Sequence, residues 1–132
     1  MIDFKTLRVW EAFHEITLDI YQVTRKFPTE ELYGLTSQMR RSAASVPTNI
    51  AEGCGRRTDP DLARFLTIAM GSASELEYQL LLAKDLEYIH RDEYQTTITE
   101  LIAAKKMLNT FLKRVRNRIP SKYQPKPLIP RT

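Results

Sequence analysis

Apolar residues recur at alternating steps of three and four along most of this chain, and that interval leaves few folds open. Leu62, Leu66, Ala69, Ala73, Leu76, Leu80 and Ala83 follow one another at steps of 4, 3, 4, 3, 4 and 3. A period of 3.5 places them all on one side of a helix, whereas a strand face repeats every second residue. Val9, Phe13, Ile16, Ile20, Val23 and Phe27 repeat the pattern, and Leu35, Met39, Ala43, Val46 and Ile50 follow a looser version of it. Tyr94, Ile98, Leu101, Leu108, Leu112 and Val115 continue it, with Lys105 at the one polar seam position.

The punctuation between these segments sets their limits. The first helix is predicted over Leu7–Lys26, because Pro28 pushes Phe27 out of the helical region. The second is predicted over Thr36–Arg57, kinked at Pro47, which cannot donate to the Ala43 carbonyl, and frayed at Gly53 and Gly55. The third starts with Asp59 as N-cap and Pro60 at its first position, and ends near Glu87. Its bulk-poor middle, Ala69 to Ser74, is expected to admit a neighbouring backbone. The fourth runs from Arg91 to Arg118 and is closed by Pro120. Four rods with short connections favour antiparallel neighbours. The expected fold is therefore all-α, an antiparallel up-down-up-down four-helix bundle over residues 1–118. Residues 119–132, with four prolines among basic and polar residues, are expected to be extended or disordered.

Several function classes find no support. No apolar run approaches the roughly 20 residues of a membrane span, and Met1 to Lys5 leads into no apolar signal segment, so the expected compartment is the cytoplasm. Cys54 is the single cysteine and the two histidines, His14 and His90, are far apart. Neither makes a metal-ligand spacing. His14 reads as a packed residue on the Trp10/Tyr21 flank, His90 as a helix-end residue beside a negative dipole terminus, and Cys54 as a small buried thiol. No Glu-x-x-His pair or phosphate-binding glycine loop occurs. Paired acids such as Glu30-Glu31 and Asp92-Glu93 suit helix starts better than catalysis. The expectation is a protein without cofactor and without enzymatic activity.

Charge gives the positive clue. The net charge is +4, but residues 101–132 hold nine Lys/Arg and no acid, while the rest holds eleven bases against sixteen acids. A cationic end of this kind points to a polyanionic partner, nucleic acid first and an acidic protein surface second. Candidate phosphate contacts are Arg40, Arg41, Arg56, Arg57 and Arg64, a stripe along the second and third helices, and Lys113, Arg114, Arg116, Arg118, Lys122 and Lys126 near the C-terminus. Glu52, four residues before Arg56, competes as a local ion-pair partner. Tyr123 is a candidate for stacking on an unpaired base.

Four stretches carry a family resemblance: Phe4-Lys5-Thr6-Leu7-Arg8-Val9-Trp10, then Tyr33 to Ala43 with Gly-Leu-Thr-x-Gln-x-Arg-Arg, then Val46 to Gly53 with Asn-Ile-Ala-Glu-Gly, and Gly71 to Glu77. Residues 4–118 resemble the bacterial four-helix bundle proteins encoded in intervening sequences of 23S ribosomal RNA genes. The resemblance implies a bundle that assembles into a homopentameric ring. It also implies kinship in fold with accessory proteins of diversity-generating retroelements, which join a reverse transcriptase to nucleic acid. A fold and an assembly follow from it more directly than a function. Asn49 and Glu52 gain a motive here, to satisfy backbone groups freed by Pro47 or to meet a neighbouring subunit. Two functional expectations stand side by side: an oligomeric nucleic-acid-binding protein, and a scaffold for a protein partner such as a reverse transcriptase.

Overall fold

The computed structural model describes residues 1–124. Four helices make up the fold: α1 (Arg8–Thr24), α2 (Leu35–Cys54), α3 (Asp59–Asp85) and α4 (Arg91–Asn117). Short 3-10 turns at Phe4–Thr6, Thr29–Glu31 and Ser121–Tyr123 complete it, with no strand among the described residues. Each helix packs on two others, α2 against α3 most extensively and α1 against α4 least. The three-and-four spacing translates directly into burial. Every seam residue of α2 and α3 is buried, as are Val9, Phe13, Ile16, Ile20 and Phe27 from the first segment.

Specific contacts fix which levels of the helices meet. Ser42 and Ser45 of α2 reach Glu75 and Ser72 of α3, and Gly53 lies against Leu62 and Phe65. Arg40 reaches Thr24 and Tyr21 at the end of α1, whereas the amide of Ile2 donates to the Cys54 carbonyl at the end of α2. Lys105 of α4 and Arg118, the residue just past its end, meet Glu77 and Asp59 of α3.

Pro47 lies within α2, which continues through it. The carbonyl it leaves without a donor is that of Ala43, and the hydroxyl of Thr17 in α1 lies 3.0 Å from that oxygen. The donor within reach thus comes from another helix, a hydroxyl that also lies 2.7 Å from the Phe13 carbonyl of its own. Asn49, expected to serve this purpose, instead bonds Ser45 through its carbonyl and hydroxyl at 2.8 and 3.0 Å.

Some local expectations are corrected. Thr58, not Asp59, caps α3, its hydroxyl accepting the Asp61 amide at 3.3 Å, so Asp59 and Pro60 fall in the first turn. His90 is at the start of α4, the positive dipole end, where Nδ1 accepts the Asp92 amide. The polar seam position of α4 vanishes: buried Ala104 fills it, and Lys105 turns aside to Glu77 at 2.9 Å. Helix α2 ends at Cys54, three residues before the expected Arg57. Its end is not frayed, because Gly53 is buried and a β-carbon there would sit 3.0 Å from both Leu62 Cδ1 and Phe65 Cβ. Conversely, Gly71 in the bulk-poor middle of α3 faces outward with nothing within 4 Å of its virtual β-carbon. Close approach there is made by buried Ala69 and Ala73 and by the 2.8 Å Ser45–Ser72 bond.

Three other residues singled out in the sequence have defined surroundings, and His14 among them is exposed. Cys54 is buried, and burial pushes its thiol above the ordinary range. Glu31 accepts the Leu35 amide at the start of α2 and the Tyr88 hydroxyl at 2.9 Å. His14 stacks on Trp10 with centroids 5.0 Å apart.

Candidate nucleic-acid interface

The helix pairing sorts the charged residues by end. Residues 1–14, 47–70 and 109–124 come together through the contacts described above and carry ten Lys/Arg against five Asp/Glu. Residues 15–46 and 71–108 form the other end, with eight against eleven. The described chain is therefore positive by five at one end and negative by three at the other.

Arg40 and Arg41 do not share a stripe with Arg56 and Arg57. Arg40 is fourteen helical positions before Cys54, the last residue of α2, about 21 Å at 1.5 Å per residue; Arg56 and Arg57 lie beyond that end, and Arg40 and Arg41 lie at the negative end. Arg40 is also engaged: its Nε donates to Thr24 Oγ1 at 2.9 Å, Nη2 donates to the Tyr21 carbonyl, and its guanidinium lies 4.9 Å from the Tyr21 ring centroid. A cation on the last carbonyls of α1 complements the negative dipole end and ties α2 to it. Arg41 is exposed at the same end.

The remaining described candidates converge on the positive end. Arg56 pairs with Glu52 at 2.8 Å, as its spacing suggested, and its guanidinium lies 4.7 Å from the Phe65 ring centroid. Arg64 lies over the same ring at 4.4 Å and is 3.8 Å from Asp61. Phe65 is thus shared between two arginines, within the range of cation–π attraction. Arg118 grips Asp59 with Nη2 at 2.9 Å and Nε at 3.2 Å. The bidentate hydrogen bonds from Arg118 hold the Asp59 carboxyl below the usual carboxylate range, and the arginine is raised further in turn. That pair ties the end of α4 to the start of α3, and about half of the Arg118 side chain, 51%, stays exposed. Arg116 donates to Thr67 Oγ1 at 3.2 Å, and Lys122 lies over the Tyr123 ring at 4.9 Å. Arg57, Lys113 and Arg114 are exposed and form no ion pair among the described residues. Lys126 lies outside the described residues.

The packed chain continues past Arg118. Ile119 is buried, and Gln124 bonds the carbonyls of Arg116 and Ile119 across the Ser121–Tyr123 turn. The remainder of the basic tail, from residue 125, lies outside the described residues.

At the negative end a groove between α1 and α4 is lined by Asp19, Asp92, Glu93 and Glu100 together with Arg25 and Lys26. Partial burial, then the carboxylates of Asp19 and Glu15, raise the Glu100 carboxyl above its ordinary range. Among the described residues no group of three His, Cys, Asp or Glu side chains is arranged to hold a metal ion, and no helix is long and apolar enough to cross a membrane.

Phe65, Thr67 and Arg8 were not singled out from the sequence. Phe65 stands next to Arg64 in the chain, but only the register of α2 on α3 brings Arg56 to its other side. Arg8 joins Lys106 and Arg114 along a groove floored by Leu7, Val9 and Phe111, a meeting of the first and last helices that no local spacing announces.

The model of the 23S rRNA-intervening sequence protein family matches residues 5–110. The chain belongs to that family. Its fold is similar to the crystal structure of a protein of unknown function from the S23 ribosomal protein family of Bacteroides thetaiotaomicron VPI-5482. The TM-score is 0.74 and the identity 27%, over 80% of this chain and 95% of that one. No curated protein matches it. The family match spans the stretches quoted above from Lys5 onward and reaches the first part of the basic end of α4, while Lys113 to Arg118 fall beyond it.

Proposed function

We propose that this member of the intervening-sequence family is a non-enzymatic, oligomeric nucleic-acid-binding protein of the cytoplasm, acting mainly through phosphate contacts. The observation that carries this reading is the gathering of Arg56, Arg57, Arg64, Lys113, Arg114 and Arg116 at one end of the bundle. RNA is favoured over DNA by the genomic setting the family's description names. In this reading the helices alternate up-down-up-down, α2 bends at Pro47, and copies close into a ring, a pentamer by the family resemblance. The contacts that pair each helix start with a neighbour's end support the alternation. Outward Ile68, Tyr78 and Leu81 on α3 support association. A ring would repeat the cationic end once per subunit, multiplying a weak contact.

Binding of the full chain to a mixed RNA pool at several salt concentrations tests the reading. With one phosphate met by each of these six cations, the log–log slope would be about −4 to −5.5. Salt-insensitive binding, or none, would remove the proposal. Sedimentation gives the subunit count separately.

The negative end favours a second reading, a scaffold that engages a basic protein partner, such as a reverse transcriptase, through the acidic α1/α4 groove. Recovery of the same partner from nuclease-treated lysate, lost when Asp92 and Glu93 are neutralised, would favour the scaffold.

A further inference from the structure

Past the end of α4 the chain folds back over the start of α3. Gln124 Nε2 donates to the carbonyls of Arg116 at 2.7 Å and Ile119 at 2.8 Å, which closes the Ser121–Tyr123 turn and presents Tyr123 with 64% of its surface exposed. Between this turn and α3 lies a cleft of about 350 Å³. Buried Ala63 and Ile119 form its deepest lining, and Arg64, Arg116 and Tyr123 line it nearer the surface.

The chemistry of that lining selects a ligand. An apolar floor beside an exposed aromatic ring suits a flat ring, which gains by leaving water and by stacking. Two guanidiniums, one of them steadied by Thr67 Oγ1 at 3.2 Å, suit an oxyanion. Among the described residues no carboxylate lines the cleft, and Asp61, 3.8 Å from Arg64, stands outside its lining. A flat apolar ring joined to an anion describes a nucleotide. Within a duplex both faces of a base are covered by its neighbours, so the ring must come from an unpaired position.

We propose that this cleft receives one unpaired nucleotide, its base against Tyr123 and the apolar floor and its phosphate between Arg64 and Arg116. The inference rests on the phosphate-binding reading and sharpens it, since it makes the cationic end discriminate single-stranded segments from duplex.

The test compares a short single-stranded RNA carrying one 2-aminopurine with its fully paired duplex, on the full chain, and separately titrates adenosine 5′-monophosphate while following amide resonances. The single strand is expected to lose about tenfold in affinity with Tyr123→Ala, to keep its affinity with Tyr123→Phe, and to change its 2-aminopurine fluorescence only where an aromatic ring is present. Duplex affinity stays unchanged in both variants. The mononucleotide is expected to shift the amides of Ala63, Thr67 and Gln124. If oligonucleotides bind but Tyr123→Ala leaves the single strand unaffected, the cleft is overturned and the phosphate-binding function survives. If the mononucleotide shifts those amides while no oligonucleotide binds, the cleft stands and the broader function fails. A mononucleotide that leaves these amides unmoved overturns the cleft directly.

Discussion

The hydroxyl of Thr17 answers a difficulty that Pro47 creates thirty residues away. In an uninterrupted helix the Ala43 carbonyl would accept the amide of residue 47, and proline has none. Thr17 Oγ1 lies 2.7 Å from the Phe13 carbonyl of its own helix and 3.0 Å from Ala43. The Phe13 carbonyl keeps its helical partner whatever the hydroxyl does, so the interhelical contact is the one that matters. Thr17→Val, nearly equal in shape, is expected to destabilise the protein by about 1 kcal/mol in urea unfolding, because a buried acceptor goes unmet. Thr17→Ser should retain most of the stability. The glycines supply a matched pair of opposite sign. Gly71 faces open space in the middle of α3, so Gly71→Ala is expected to stabilise by about 0.5–1 kcal/mol. Gly53→Ala gains the same backbone term but drives a methyl to 3.0 Å from Phe65 Cβ, an atom rooted on its own helix. It is expected to destabilise by about 1 kcal/mol net. Equal effects of the two substitutions would mean that α2 and α3 are not held this closely.

The elements show what the spacing of residues reveals and what it conceals. The seams of α2 and α3 were legible because burial on one helix side depends only on period, and a 3.5-residue repeat survives any choice of partner. Lys105 was misplaced for the complementary reason. Both Ala104 and Lys105 fit a seam to within one position, and the choice was settled by Glu77 on α3, 28 residues away. Caps were misread by one residue because Thr58 and Asp59 are both good caps and only the backbone angle at Thr58 decides. The weakest packing, α1 against α4, also contains the clearest unfavourable charge. Glu100 has its carboxyl raised by partial burial and by Asp19 and Glu15, so the folded state holds its proton more tightly than the unfolded chain does. That contribution is fully present below the unfolded pKa and is lost as pH rises through the folded one. Glu100 is exposed enough for solvent to screen most of the repulsion. Glu100→Gln is therefore expected to stabilise the protein at neutral pH by about 0.5 kcal/mol at most. The gain should disappear when unfolding is repeated below the carboxylate range. A gain of the same size at both pH values would show that charge is not its cause.

At the scale of the molecule, the candidate interface was legible in the sequence only as a gradient of charge along the chain, because which cations end up together depends on how the helices fold back. The cationic C-terminal quarter was visible at once, whereas the division of Arg40 and Arg41 from Arg56 and Arg57 followed from the pairing of α1 with α2. Net charge alone would attract any polyanion to any face, so the decisive question is whether position matters at constant total charge. Arg57→Gln with Arg114→Gln removes two exposed cations from the positive end, and Arg25→Gln with Lys26→Gln removes two from the negative end. Both double variants carry the same net charge. If the positive end meets phosphates, the first pair should make the salt slope of RNA binding shallower by about 1.4–1.8, two counterion contributions, while the second leaves it as it was. Long-range attraction to net charge would instead weaken both variants alike, mostly at low salt where the screening length is large. Measuring the slopes of the two variants side by side therefore separates a located interface from a diffuse one, with the helix pairing supplying the prediction that only the first pair changes the slope.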